Sequence, residues 1–99
     1  MKIIELDGAN WSSSHDFFDA LATSLKVVPW HGRGFDAFED SVFYGGMSEV
    51  EPPFKVIVFN CPAFAEKDVE QMATGWARQR ESKRAYDGED VEATIALQR

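Results

Sequence analysis

The stretch FKVIVFN, residues 54–60, says most about the fold. Its run VIVF is apolar without interruption, which is typical of a central parallel strand that is covered on both faces, or nearly so. Pro62 ends the strand, because proline lacks the N–H group that a sheet requires. The stretch therefore predicts the central strand of a parallel sheet.

Two weaker strand patterns lie near the ends of the chain. KIIELD, residues 2–7, is rich in β-branched and apolar residues and stops at Gly8. VEATIAL, residues 91–97, alternates apolar side chains with Glu92, Thr94 and Ala96, which is the pattern of an edge strand. These two short strands are expected to flank the central one.

Apolar residues at helical spacing predict a first helix over about residues 14–26 and a third over about residues 65–84. Ser13 and Asp16 have the spacing of a capping box at the start of the first helix. The third helix has one apolar and one charged face, and Gly75 is the point at which it could break.

The second helix is expected over residues 35–44 and is closed by Gly45 and Gly46. Its inward stripe consists of Phe35, Phe38 and Val42. The side chains expected to face away from the core are the three acids Asp36, Glu39 and Asp40.

The order β, α, α, β, α, β with helical connections implies parallel strands joined by right-handed crossovers. A chain of 99 residues is most simply one domain with one core. The sequence thus predicts a single two-layer α/β domain over residues 1–99, with a three-stranded parallel sheet in the order 1-2-3 packed with helices.

Seventeen acidic and ten basic residues give a net charge of −7. Such a chain repels phosphate backbones and anionic membranes, so neither nucleic acid nor membrane binding is expected, and a basic partner is the natural complement. The chain contains one cysteine, Cys61, and shows no signal peptide or membrane span. A cytoplasmic protein without internal disulfides is expected.

Asp36 and Asp40 lie four residues apart, so they share one face of the second helix. They form either a solvated helix face or an anionic patch that the cationic cleft of a partner neutralises. His15 and His31 do not form a recognisable ligand pattern with these acids, so no metal or cofactor is expected. The two acids also lack a companion motif for positioning a substrate, which disfavours a hydrolase.

Trp30 and His31 precede the second helix in a loop that also contains Gly32 and Gly34. An exposed Trp-His pair beside an acidic face suits a recognition surface, because aromatic side chains supply large rigid contact areas. In the alternative interpretation, Trp30 covers the core beneath the loop.

Two further features have plain structural explanations. Cys61 follows the presumed central strand, where open parallel sheets often place their chemistry, but no Cys-His signature accompanies it and a small buried thiol is the common case. The basic run Arg78, Arg80, Lys83 and Arg84 lies late in the third helix, where cations are electrostatically favourable, and is expected to form a solvated face.

Taken in order, LDGANWSSSHDFFDAL, VVPWHGRGFDAFEDSV and PPFKVIVF resemble the barstar family, small acidic intracellular inhibitors of secreted bacterial ribonucleases. The residues that match the family pattern are Pro29, His31, Gly32, Phe35, Asp36, Ala37, Phe38 and Asp40. The resemblance is clear over about residues 1–60, and the later elements follow the same order.

The resemblance implies that the second helix and its preceding loop fill the active site of a basic ribonuclease or nuclease toxin in a 1:1 complex. Asp40 would be the principal phosphate mimic, Asp36 its companion, and Trp30 and His31 would cover the rim of the cleft. At two positions of this surface, Gly34 replaces the family asparagine and Glu39 replaces an aromatic residue of the namesake. The partner-binding residues implied by the resemblance are Trp30, His31, Gly34, Asp36, Glu39 and Asp40.

Three functional hypotheses remain open from the sequence. The first is a non-enzymatic ribonuclease inhibitor that confers immunity to a toxin. The second is an immunity or regulatory protein that binds a non-nuclease partner through both the acidic face and the Arg-rich helix. The third is a small enzyme built around Cys61 or the carboxylates.

Overall fold

A computed structural model describes residues 1–45 and 47–99. The strands are β1 (Lys2–Asp7), β2 (Phe54–Phe59) and β3 (Ala93–Leu97). The helices are α1 (Ser14–Leu25), α2 (Phe35–Tyr44) and α3 (Ala63–Asp87).

The three strands form a parallel sheet in the order β1-β2-β3. Ile4, Val56 and Ile95 are paired across the sheet, and all three are buried on the face that the helices cover. The predicted α/β fold, the sheet order and the central position of β2 are confirmed.

The opposite face of β2 differs from the prediction. Lys55 is exposed there, while Ile57 and Phe59 are only half-buried. Ile57 lies between the exposed Glu5 of β1 and the half-buried Ala96 of β3, so polar and small neighbours flank it. The expectation that β2 is covered on both faces, or nearly so, is therefore wrong, because the buried core lies on one side of the sheet.

The core is rich in aromatic residues that join the helices to the sheet. Trp76 of α3 is fully buried and meets Phe54 of β2 edge-on, with ring centroids 6.0 Å apart. Phe18 of α1 makes an edge-on contact with Phe35 of α2 at 5.3 Å and stacks near Phe38 at 6.4 Å. Such aromatic pairs add directional preference to apolar burial, so they help to orient α2 relative to α1.

The start of α1 and the end of α2 are each capped by nearby residues. The carboxylate of Asp16 accepts hydrogen bonds from the backbone N–H groups of Ser12 at 2.7 Å and Ser13 at 3.2 Å. The Ser12 bond is the main cause that lowers the pKa of Asp16. Gly45 caps α2, as predicted, and Gly46, which was predicted to help close α2, lies outside the described residues.

α3 is longer than predicted and runs without interruption through Gly75. Gly75 is buried against α2, and its missing side chain leaves room for Glu39. The glycine is therefore a site of close helix packing and not a break.

Beyond α3, the turn before β3 neutralises most of the basic run. Arg80 donates two hydrogen bonds to Asp90, at 2.7 and 3.0 Å, and Arg84 donates a third at 2.8 Å. Lys83 pairs with Asp87 at 3.0 Å. The bonds from Arg80 and then Arg84 hold the pKa of Asp90 well below its usual range.

Replacing Asp90 with asparagine is expected to lower the melting temperature by a few degrees at pH 7. Because the pKa of Asp90 is lower in the folded state, its stabilising contribution is complete above the unfolded pKa near 3.9 and is lost as the pH falls toward the folded value. The difference between Asp90→Asn and the unmodified protein should therefore shrink below about pH 4. Melting curves between pH 7 and pH 2 test this, with Glu70→Gln on the exposed side of α3 as the control. A difference that is constant across this range would contradict the assignment.

Candidate protein-binding site

Two carboxylates project into solvent from one face of α2. Asp36 lies in the first turn, Asp40 one turn later, and both are exposed. Neither makes an ion pair within 4.0 Å to any residue in the described part of the chain. The predicted outward orientation of this pair is confirmed, and their negative charge is available to a partner.

The same face continues to an aromatic side chain at the C-terminal end of α2. Tyr44, four residues after Asp40, is 60% exposed, and the ammonium of Lys83 lies 4.8 Å from the centre of its ring. An exposed aromatic ring beside charges is suited to protein contact. Sequence reasoning missed Tyr44, although the spacing 36, 40, 44 places all three side chains on one face.

The orientation predicted for Glu39 was wrong. Glu39 is only 9% exposed and points toward α3, where Gln79 donates a hydrogen bond of 2.8 Å to its carboxylate. The helix spacing explains this, because Glu39 lies one turn after Phe35 and one turn before the buried Phe43, on the flank of the apolar stripe. A carboxylate there needs a polar partner, and Gln79 supplies it.

Gly75 completes the arrangement around Glu39. A Cβ atom added at Gly75 would lie 2.7 Å from Oε2 of Glu39 and 3.3 Å from its Cδ. The buried carboxylate therefore occupies a notch in α3 that only glycine leaves open. Neither Gly75 nor Gln79 could be linked to Glu39 from the sequence, since about 40 residues separate the two segments.

The predicted exposed Trp-His pair is half right. Trp30 is 77% exposed, so it does not cover the core. His31, in contrast, is 5% exposed, with its ring 4.9 Å from that of Phe38. Its Nδ1 is hydrogen-bonded to the carbonyl oxygen of Gly32 and its Nε2 to the hydroxyl of Ser41. The expected exposure of His31 was wrong, because both ring nitrogens find partners inside the protein.

His31 and Arg33 together hold the loop of residues 29–34 in place. The bond from His31 to Ser41 ties the loop to α2, and Arg33 donates to the carbonyl oxygen of His31 at 2.8 Å. Arg33 also pairs with Asp19 of α1 at 3.1 Å. The loop is thus supported from two helices, which holds the segment that carries Trp30 in place.

Gly34 is the N-cap residue of α2 and lacks a capping side chain. Its φ of −126° is extended backbone that any residue adopts, and no heavy atom lies within 4 Å of the place where a Cβ would be. The position is open for a longer side chain.

Replacing Gly34 with asparagine is expected to stabilise the protein by about 0.5–1 kcal/mol, because the new side chain caps α2 and the unfolded chain loses freedom. Urea unfolding measures the change. Gly34→Ala is the matched control, since it restricts the unfolded chain without capping the helix. Equal stability of the two variants would show that the cap does not form.

The other chemical candidates receive little support from the geometry. Burial raises the pKa of the Cys61 thiol, which disfavours the thiolate that a nucleophile requires. Within residues 1–45 and 47–99, no three His, Cys, Asp or Glu side chains are grouped in a way that could hold a metal ion. No helix in these ranges has the length and apolar character needed to cross a membrane.

A cavity of about 610 Å³ lies beside the C-terminal end of α2. Val42, Val50 and Val91 contribute apolar surface to it, and Glu51 and Glu92 contribute carboxylates. The cavity extends the acidic surface beyond Tyr44, toward the turn that precedes β3.

A family model described as "Barstar (barnase inhibitor)" matches residues 1–98, essentially the whole chain. No curated protein matches the chain. Since the match covers the sheet, all three helices and the acidic face of α2, the chain belongs to the barstar family.

Proposed function

We propose that this protein inhibits a basic ribonuclease, or a related nuclease toxin, by covering its active site with α2 and the loop of residues 29–34. The observation that carries the proposal is the pair of exposed carboxylates of Asp36 and Asp40, which form no ion pair within residues 1–45 and 47–99, on a member of a family described as "Barstar (barnase inhibitor)". Inhibition requires no chemistry from this chain, only occupation of the cleft.

Charge supports this mode of binding. A cleft that binds RNA presents cations to phosphate groups, and carboxylates form strong charge-assisted hydrogen bonds with such cations once water is excluded. Asp40 is proposed as the principal phosphate mimic and Asp36 as its companion. The net charge of −7 would also speed the encounter with a basic enzyme.

The other predicted site residues take proposed roles that match their exposure or burial. Trp30 is exposed in the loop that leads into α2 and is proposed to contact the rim of the cleft, with Tyr44 at the far end of the helix. His31 and Glu39 are buried, so their proposed contribution is to hold the loop and α2 in place. Gly34 lets the partner approach the start of α2 closely, because it carries no side chain.

We further propose that the protein acts in the cytoplasm as a monomer in a 1:1 complex and protects its host from a toxin.

The non-nuclease alternative relied on the Arg-rich part of α3 together with the acidic face. That part is less available than the sequence suggested, because Arg80 and Arg84 are engaged by Asp90.

The test is inhibition of RNA cleavage by basic ribonucleases encoded in the same genome. Increasing amounts of the protein should abolish cleavage at one equivalent, and calorimetry should give a stoichiometry of one. Cleavage that continues unchanged with every basic ribonuclease, with no heat of binding, would refute the proposed function. A single non-nuclease partner recovered by pull-down, lost on Arg80→Glu and retained on Asp40→Ala, would favour the alternative.

A further inference from the structure

Arg78 differs from the other members of the basic run on α3. Arg80 and Arg84 are paired with Asp90, and Lys83 is paired with Asp87. Arg78 is exposed, and no carboxylate among the described residues lies within 4.0 Å of its guanidinium. Its five N–H donors are thus free of any ion pair within that part of the chain.

The charge of Arg78 lies in a pocket beside the face of α2 that carries Asp36. A pocket of about 380 Å³ opens between α2 and α3, and Arg78 lines it together with Gly34, Asp36, Glu39 and Gln71. A Cβ atom at Gly75 would lie 3.9 Å from Nη2 of Arg78, so the guanidinium leans toward the notch that holds Glu39. Arg78 therefore sits at the edge of the same surface that presents Asp36.

The acidic face consequently carries a positive charge at one edge. Glu39 does not cancel it through a direct ion pair, because the carboxylate of Glu39 is bonded to Gln79 and no pair with Arg78 forms within 4.0 Å. A partner that covers Asp36 would also remove water from the neighbouring guanidinium.

From this arrangement we infer that Arg78 is a specificity-determining residue that selects a partner with a carboxylate at the edge of its cationic cleft. The inference rests on the proposed function, since it assumes that the α2 face enters such a cleft. A cleft that is cationic at this edge as well would place like charges together and leave Arg78 unpaired, which disfavours the complex. An aspartate or glutamate at the edge would instead accept the planar fork of donors that arginine provides.

The positive charge of Arg78 would let the protein discriminate between related nucleases. Asp36 and Asp40 are attractive to any cleft that binds phosphate, so on their own they discriminate poorly between basic nucleases. A repulsive element rejects the wrong partners, which is a general route to specificity. Arg78 supplies that element beside the attractive pair.

The experiment uses the ribonuclease that the unmodified protein inhibits in the cleavage assay. We expect Arg78→Glu to weaken binding about thirtyfold and Arg78→Gln about fivefold, as for loss of a charge pair at the rim of an interface. Lys55→Glu is the matched control, because Lys55 is exposed on the face of the sheet opposite the helices and should change binding less than about twofold. Melting temperatures confirm that each variant is folded.

A charge exchange then identifies the partner group. Each acidic residue at the rim of the ribonuclease cleft is changed to lysine, and one of these changes should restore the affinity of Arg78→Glu while weakening that of the unmodified protein. Binding of Arg78→Gln that equals or exceeds that of the unmodified protein would overturn the inference, as would the lack of any rescuing position. If the unmodified protein binds no ribonuclease, the proposed function fails and this inference fails with it. If the unmodified protein binds a ribonuclease and the Arg78 variants bind it equally well, only this inference fails.

Discussion

Asp40→Ala should weaken the complex with the target ribonuclease by at least about a hundredfold, because loss of one member of a buried charge pair costs about 3–5 kcal/mol. Asp40 lies in the middle of α2, exposed and free of ion pairs within the described chain, so its whole charge is available to the partner. In the complex the cation that faced it would remain buried without a partner. Calorimetry or inhibition of RNA cleavage measures the change.

The control for this prediction is Glu5→Ala. Glu5 is exposed on the face of the sheet that the helices leave uncovered, so its removal changes the net charge equally without touching α2. Equal losses of affinity for Asp40→Ala and Glu5→Ala would mean that overall charge, and not the α2 face, governs binding.

The loss of affinity caused by Asp40→Ala should appear mainly in the dissociation rate and only slightly in the association rate. Long-range attraction depends on the total charge, so both variants should slow association slightly, and added salt should slow it for every form of the protein. The specific contact of Asp40 should appear in the dissociation rate. A loss confined to the association rate would contradict a buried contact.

The second large effect concerns Gly75 and depends on what occupies position 39. In the unmodified protein, Gly75→Ala places a methyl group 2.7 Å from Oε2 of Glu39, closer than the two atoms can approach, so the carboxylate must shift and its bond with Gln79 through Oε1 is weakened or lost. Loss of a buried hydrogen bond costs about 1–3 kcal/mol, whereas alanine favours a helix interior over glycine by about 1 kcal/mol. The net result is expected to be a destabilisation of about 1 kcal/mol.

When Glu39 is first changed to alanine, the sign should reverse. No carboxylate then meets the new methyl group, so Gly75→Ala should stabilise the protein by about 1 kcal/mol through helix propensity alone. The coupling between the two positions is then about 2 kcal/mol, which urea unfolding of the four proteins measures. The same sign in both backgrounds would show that Glu39 does not occupy the notch in solution.

Local patterns in the sequence determined much of this molecule. Short apolar and β-branched runs predicted the three strands, and apolar residues three and four positions apart predicted the three helices. The helix α2 has the predicted bounds, residues 35–44. The spacing of Asp36 and Asp40 was sufficient to place both on one face of that helix. These features are local, because they depend on residues a few positions apart along the chain.

Where two distant elements meet, the tertiary structure decided the outcome. Glu39 turns inward because Gly75 leaves a notch and Gln79 offers a donor, although its sequence neighbours Asp36 and Asp40 face solvent. His31 turns inward because the hydroxyl of Ser41 and the carbonyl oxygen of Gly32 form hydrogen bonds with its two ring nitrogens. Polar side chains near an apolar stripe can face either way, and the available partners select the direction.

The charges of α3 illustrate the same division. The sequence by itself determined that four cations occur late in a helix, and their spacing made all of them resemble one solvated face. The tertiary structure decided which of them remain available, because the turn before β3 brings Asp90 to Arg80 and Arg84 but leaves Arg78 beside α2. Ion pairing depends on distances of a few ångströms between side chains, and only the packed chain sets those distances.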